Sequence, residues 1–375
     1  MRSKFIVLCM VLLLVMVGGI VNAEEETIKI GIFEPMTGPF AVGGEISMMG
    51  YRLAQEHNPT VLGKKVEFVV VDNKSDKVEA ANAVSKLVDA DKVVAILGSY
   101  SSGLSIPGGE TADKAGIPML SPTATNPLVT MGKEYVFRSC FIDPFQGEAL
   151  AKYTYNELGI KKAAMLVDVA QDYSVGLANF YRRTYNKLGG EIVANLKYQT
   201  GDQDFSAQMT EIIKSGAGAL FFPGYFGDVA LIATQGRELG FEGVYMGGDT
   251  LDNPKLIEIA KEHAEGVVAT SFYHPDAPAS TEASVKFIKS FKDKYNEEPN
   301  AVSVMTYDAY NLIIDAIERA GSTDPDAIKN ELTATEGFAG AGGTISIDEN
   351  NNAIRPAVVL KVVDGEYQYE ATIHP

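Results

Sequence analysis

Five short stretches carry residues whose types and spacing could do chemistry. Ser99, Ser101 and Ser102 stand in the run Gly98–Gly103, and Ser121-Pro122-Thr123-Ala124-Thr125-Asn126-Pro127 follows soon after. Further on come Asp172-Tyr173, Gly224-Tyr225-Phe226 and Gly247-Gly248-Asp249. A serine hydroxyl beside the unpaired N–H groups that open a helix can hold a carboxylate, because the helix terminus favours an anion. A carboxylate carried behind two glycines, Asp249, can reach an ammonium group through a charge-assisted hydrogen bond. Tyr173 and Tyr225 bring rings for an apolar side chain and hydroxyls for a polar one. Together these groups suit a small zwitterion such as a free amino acid. Each also has a plainer reading: N-capping by serine, Ser/Thr capping in a proline-stiffened turn, and loop tyrosines at the surface. Asp249 could likewise cap a helix near Pro254, although Asp252 stands nearer to that task.

Catalytic and cofactor patterns are absent from the sequence. It has no G-x-x-x-x-G-K-[ST] phosphate loop, no G-x-G-x-x-G after the first strand, no G-x-S-x-G elbow and no H-E-x-x-H pair, and His57, His263, His274 and His374 have no cysteine partners. No enzyme, cofactor or metal site is therefore expected; a hydrolase built on the serine loop would need a base brought from elsewhere in the chain. The 375 residues carry a net charge of −17 with 46% hydrophobic residues, the composition of a globular protein. That acidity makes nucleic acid and an anionic membrane surface poor partners.

Arg2 and Lys4 precede the uncharged run Phe5–Ile20, which ends in Val21-Asn22-Ala23. The pattern predicts a secretory signal peptide cleaved after Ala23 and a periplasmic or extracellular protein, with an N-terminal membrane anchor as the alternative. The remaining 352 residues carry 30 basic against 49 acidic groups, a charge of −19, and only Cys140 as a thiol, so no internal disulfide can form.

Strands alternating with helices must position the polar loops. Apolar runs at Ile28–Phe33, 65–72, Val93–Leu97, Ile117–Leu120 and Tyr135–Arg138 predict one parallel sheet, with helices over 45–57, 75–90 and 105–114. A second α/β unit opens near Asp143-Pro144, with strands at 162–167, 191–196, 219–222, 243–246 and 266–271. After Pro275 come helices over 280–295, 301–320 and 324–333, expected to cover the first sheet, and then a hairpin of Gly343–Ile347 with Ala357–Val363 expected to join the second. The chain thus reads as a first lobe of 24–143 plus about 272–338 and a second of 144–271 plus about 339–375, joined by several crossings and able to close over a ligand at the strand ends.

The loops just quoted, together with Pro35-Met36-Thr37-Gly38-Pro39-Phe40-Ala41 and Gln171-Asp172-Tyr173-Ser174-Val175-Gly176, occur in a familiar order and spacing. The chain closely resembles the periplasmic branched-chain amino-acid-binding proteins, the type I substrate-binding components of ABC transporters, over essentially its whole length. The resemblance implies two discontinuous doubly wound lobes around a hinge, no catalysis, a monomer, and delivery of an amino acid to ABC permease subunits. It implies a ligand site at Ser102, Thr123 (through its backbone carbonyl), Thr125, Tyr173, Tyr225 and Asp249, with Ser101, Phe40 and Tyr307 as further candidates. The same fold could take a short-chain amide or an aromatic carboxylate, or serve as an extracytoplasmic sensor. One departure stands out: leucine-binding members carry an aromatic residue a few positions after Gly-Pro-x-Ala, where this chain has Val42-Gly43-Gly44.

Overall fold

The computed structural model describes residues 27–277 and 281–375. The leader read over residues 1–23 and its cleavage point lie outside the described residues.

Two sheets form the two lobes. In the first, β1 (Ile28–Glu34), β3 (Lys64–Asp72), β4 (Ala95–Leu97), β5 (Met119–Ser121) and β6 (Val136–Arg138) run parallel in the order β3-β1-β4-β5-β6, with the short β2 (Thr60–Val61) antiparallel at the edge. The short central strands are buried on both sides. Ala95 and Leu97 pack towards Tyr51, Phe287 and Ile313, whereas Ile96 between them packs towards Val84 and Leu104. Period-two alternation between two apolar layers is what a sheet covered on both faces requires, and it explains why these strands read as unbroken hydrophobic runs.

Helices α1 (Ala41–His57), α2 (Lys77–Asp89) and α3 (Ser102–Ala115) follow β1, β3 and β4. The second sheet begins after α4 (Asp143–Lys152). It joins β7 (Lys162–Asp168), β8 (Glu191–Tyr198), β9 (Ala219–Phe221), β10 (Val244–Gly247) and β11 (Val268–Ser271) in the order β8-β7-β9-β10-β11, all parallel. Its helices are α5 (Asp172–Lys187), α6 (Ser206–Lys214), α7 (Phe226–Glu238) and α8 (Pro254–Ala260). Three more, α9 (Glu282–Tyr295), α10 (Ala301–Ala320) and α11 (Pro325–Thr333), return to the first lobe, where Phe291, Ile317 and Leu332 enter its core.

The expected hairpin of Gly343–Ile347 with Ala357–Val363 does not form. β13 (Gly343–Ile347) pairs instead with β12 (Phe338–Gly340) and β14 (Ala353–Ile354) in a small antiparallel sheet. Ala341, Ile345 and Ala353 of that sheet sit in the first lobe's core, so the stretch 339–354 packs with the first lobe and not the second. β15 (Ala357–Val363) pairs with β11 and, across the Asp364-Gly365 turn, with β16 (Glu366–Ile373), which closes the second sheet. The last chain crossing therefore falls near Arg355.

The crossings share an apolar core of Cys140, Phe141, Phe272, Ala301, Met305 and Ala357. Two buried arginines brace it. Arg355 lies 3.7 Å from Asp308 and donates to the carbonyls of Ser139 (3.3 Å) and Gly342, while Asp308 accepts the N–H groups of Ala341 (2.5 Å) and Gly342 (2.9 Å). Arg138, at the end of β6, donates to the carbonyls of Ala124 (2.8 Å) and Asn126 (2.9 Å) and to the Thr130 hydroxyl (3.0 Å). The loop after β5 is thus held from beneath by one fully buried cation.

Removing that cation strands the carbonyls it serves. Arg138→Met is expected to lower the unfolding free energy by about 3 kcal/mol, since hydrogen bonds from a charged donor are worth roughly 1.5–3 kcal/mol and buried acceptors left unpaired add to the cost. Urea denaturation of parent and variant measures it.

Candidate ligand-binding site

The loops that leave the carboxyl ends of the strands in the two lobes face one another across a small, tightly lined cavity. Tyr100, Ser102, Thr123 and Thr125 line it from the first lobe, and Tyr173, Tyr225, Asp249, Thr250 and Asp252 from the second. Phe272 from a crossing and Val302 from the first turn of α10 complete the wall. A larger groove along Met131, Lys133, Phe180 and Asn351 is open to solvent and contains none of the candidate ligand-binding residues.

On the first lobe the serine loop is built by the buried end of β1. The Tyr100 N–H donates to Glu34 at 2.8 Å, and Asn73 donates to the Phe33 carbonyl and the Ser99 hydroxyl, both at 3.0 Å. Ser101 occupies the N-cap of α3, yet its side chain makes no capping hydrogen bond. Plain N-capping therefore does not explain the serines. Ser102 Oγ accepts the Asn126 N–H at 3.2 Å, which ties the serine loop to the next loop and leaves the hydroxyl proton free to donate. Thr123 donates its hydroxyl to the Tyr100 carbonyl at 2.9 Å. The Thr125 hydroxyl faces the Asp143 carboxyl, and its carbonyl accepts the Asp143 N–H at 2.9 Å.

On the second lobe Asp249 opens a single 3₁₀ turn, and the helix after it is capped by Asn253, whose side chain accepts the Lys255 N–H. The capping alternative for Asp249 thus falls away. Its carboxylate accepts from Gln146 Nε2 at 2.6 Å and from the Tyr173 hydroxyl at 3.1 Å. Gly248 makes this contact possible: a Cβ there would lie 2.1 Å from the Tyr173 hydroxyl oxygen. Asp252 accepts from Ser271 at 2.5 Å. Thr250 donates to the Gly224 carbonyl at 2.5 Å and so fixes the loop that carries Tyr225.

Charge is the unusual property of this cavity. Burial pushes the Asp249 and Asp252 carboxyls up to about 6, and Asp143, whose oxygens make no well-formed hydrogen bond, up to about 8. Glu34, buried under the serine loop, is also raised to about 8. The cavity lining includes no basic side chain.

The lobes touch outside the cavity as well. Lys77 pairs with Asp172 at 2.6 Å, Asn126 donates to the Asp172 carbonyl at 2.8 Å, and the Tyr225 ring lies 4.5 Å from that of Phe40 and 6.0 Å from that of Tyr100. The structure is the closed arrangement.

Ser102, Thr123, Thr125, Tyr173, Tyr225 and Asp249 are thus brought together. Ser101 is not in the wall; its hydroxyl faces that of Tyr225. Phe40 backs Tyr225 without lining the cavity. Tyr307 does not belong to the site: it lies in the first-lobe core, 2.9 Å from His57 Nδ1 and with its ring 4.7 Å from that of Phe287. The reason is helical phase, since five residues beyond Val302 is about 7.5 Å further along the axis and about 140° around it. Tyr100, Asp143, Gln146, Thr250, Asp252, Phe272 and Val302 were not read as site residues. Tyr100 and Thr250 adjoin named positions and could have been found there, whereas Gln146 and Val302 enter from helices whose sequence carries only an amphipathic pattern.

Two α/β lobes that close a buried, polar cavity between their strand ends define a solute trap. Residues 27–366 match the family model described as "Periplasmic binding protein". The chain is 30% identical over 350 residues to the "Leu/Ile/Val-binding protein homolog 1" of Brucella abortus, which covers 91% of this chain and 93% of that protein. It is similar to a crystal structure of a leucine-binding protein from Thermotoga maritima, with 45% identity, a TM-score of 0.91, and coverage of 93% of this chain and 99% of that one. A Streptococcus pneumoniae branched-chain amino-acid transporter substrate-binding protein in complex with isoleucine matches with 31% identity and a TM-score of 0.88, over 93% of this chain and 100% of that one. The chain belongs to the periplasmic binding protein family: it is a non-catalytic, extracytoplasmic solute-binding protein that delivers a small molecule to an ABC permease.

The raised carboxyls give a signed pH dependence. Their native values lie above the ordinary carboxylate range, so the stability they contribute is fully present below about pH 4 and is lost as pH rises through 6 to 8. In the ligand-free protein Glu34, buried within the first lobe whether or not the lobes close, carries this dependence, so the melting temperature of solute-stripped protein is expected to fall from pH 5 to pH 8, measured by scanning calorimetry.

Proposed function

We propose that the solute is an amino acid, a branched-chain aliphatic one above all, held as its zwitterion. The observation that carries this reading is Asp249, a buried carboxylate with only neutral donors around it, at the point where both lobes meet. An ammonium group supplies the missing positive charge, and the Thr123 carbonyl offers it a second acceptor. The ligand carboxylate lies on the other side, against the hydroxyls of Ser102 and Thr125 and the N–H groups that open α3. Tyr100, Tyr173, Tyr225, Phe272 and Val302 then surround the side chain with aromatic and aliphatic carbon. The leucine and isoleucine named for the two similar structures support the same class of ligand. A purely anionic aromatic carboxylate would set its charge against the buried Asp249 and Asp252 carboxylates, and a neutral amide would leave Asp249 without a counter-charge.

In this reading the mature chain begins after Ala23, acts as a monomer and docks on its permease once closed. Both lobes contribute to the ligand, so closure follows from the ligand's preference for the closed form. Micromolar affinity, on the order of −8 kcal/mol, suits capture from dilute medium.

A thermal-shift panel of the twenty amino acids with short amides and aromatic carboxylates tests the class, because a ligand that binds the native state raises its stability. Leucine, isoleucine or valine is expected to give the largest shift; no shift with any aliphatic amino acid contradicts the reading. Asp249→Asn is expected to weaken binding by about 2–5 kcal/mol, the cost of leaving a buried charge unpaired, as measured by titration calorimetry.

A further inference from the structure

The first turn of α1 approaches the cavity with no side chain on one face. A Cβ at Gly43 would lie 2.5–2.7 Å from Cε1, Cδ1 and Cγ of the Tyr100 ring, so the ring lies directly on the glycine backbone. Tyr100 is itself held at both main-chain ends, its N–H on Glu34 at 2.8 Å and its carbonyl under the Thr123 hydroxyl at 2.9 Å. Glu34 is fully buried and takes two further contacts, from Tyr51 at 3.3 Å and Ser99 at 3.4 Å. The ring is 6% exposed, forms part of the cavity wall, and stands 6.0 Å from the Tyr225 ring of the other lobe. Its position is therefore set by α1 behind it and by a fixed backbone below it, and only the cavity side is free of the helix.

We propose that Tyr100, seated on Gly43, sets the size limit for the ligand's side chain and is the specificity-determining residue that the first helix does not itself provide. The inference rests on the amino-acid reading and deepens it. The wall that limits side-chain length is a ring delivered from the serine loop, and the Gly43 position fixes how far that ring stands back. A Cβ at Gly43 moves the ring away from α1, towards Tyr225, and shortens the pocket; a smaller residue at position 100 lengthens it. Opposite changes at two contacting positions thus produce opposite shifts in preference, which loss of stability or general loosening of the site would not do.

The test measures Kd for valine, leucine and phenylalanine by titration calorimetry on the parent, Tyr100→Leu, Tyr100→Phe and Gly43→Ala, each checked for a cooperative melt. Tyr100→Leu is expected to raise phenylalanine binding relative to leucine by about tenfold, the effect of one to two methylene-sized changes in a pocket. Gly43→Ala is expected to favour valine over leucine by a similar factor, and Tyr100→Phe to keep the parent ratios within about twofold, because it keeps the ring. The double variant Gly43→Ala/Tyr100→Leu removes the clash and is expected to lose the preference for valine. If the parent binds these amino acids and the folded variants leave the ratios unchanged, or shift them in the same direction, the assignment of Tyr100 is overturned while the amino-acid reading stands. A parent that binds none of the three overturns both.

Discussion

The Asp249 carboxylate is buried between two lobes with only a carboxamide and a phenol as partners, and the rest of the structure is arranged around that condition. A charge taken out of water without a counter-charge is costly, and here burial shows as the raised proton affinity of Asp249 and its neighbours Asp143 and Asp252. Gly247 and Gly248 let the chain bring the carboxylate to the strand end, and the missing Cβ of Gly248 admits the Tyr173 hydroxyl. Neither lobe places a basic side chain in the wall. The closed form is therefore electrostatically incomplete as a protein alone, and under the proposed function a cationic ligand group is what makes closure more favourable than opening. On the amino-acid reading proposed above, neutral donors on the first lobe serve the opposite end of the ligand, and the two ends of a zwitterion are told apart by position.

Precision at those loops comes from buried charge elsewhere. Arg138 holds the 124–130 loop through its carbonyls, Glu34 holds the serine loop through the Tyr100 N–H, and Asp308 with Arg355 locks the last crossing to α10. Such groups are poor sources of net stability, because desolvation offsets much of their attraction. What they provide is a fixed backbone: Arg138, Arg355 and Asp308 each bind two main-chain groups, and Glu34 binds the Tyr100 N–H together with the Tyr51 and Ser99 hydroxyls, so that the loops are not free to shift. The core where the chain crosses between the lobes is different in kind, a small apolar set around Phe141, Phe272 and Met305. Rigid loops are what a two-lobed trap needs, since the lobes must move while each half-site stays formed.

The parallel strands and their helices were legible because both faces of each sheet are covered, which writes long apolar runs into the sequence. The small sheet of 338–354 was not. Its strands have two to five residues, and the Gly343–Ile347 segment carries the same alternation whichever neighbour it pairs with. Local pattern cannot choose the partner; contact with the first-lobe core through Ile345 and Ala353 does. The same limit applies to the site. Residues in strand-end loops could be read by chemistry and order, as with Ser102, Thr125 and Asp249. Gln146 reaches Asp249 across 103 positions from the start of a helix, and nothing in its neighbourhood of sequence announces that contact. Tyr307 fails for the converse reason: a tyrosine with suitable chemistry lies on the wrong side of a long buried helix.

The most direct measurement compares leucine with 4-methylpentanoate, the same skeleton and carboxylate without the ammonium group, by titration calorimetry on solute-stripped protein at pH 7.5. If Asp249 is the counter-charge for an ammonium, the desamino compound binds at least about thirtyfold more weakly, the lower end of what an unpaired buried charge costs. Equal affinity for the two compounds would contradict it and would place the basis of recognition elsewhere in the cavity.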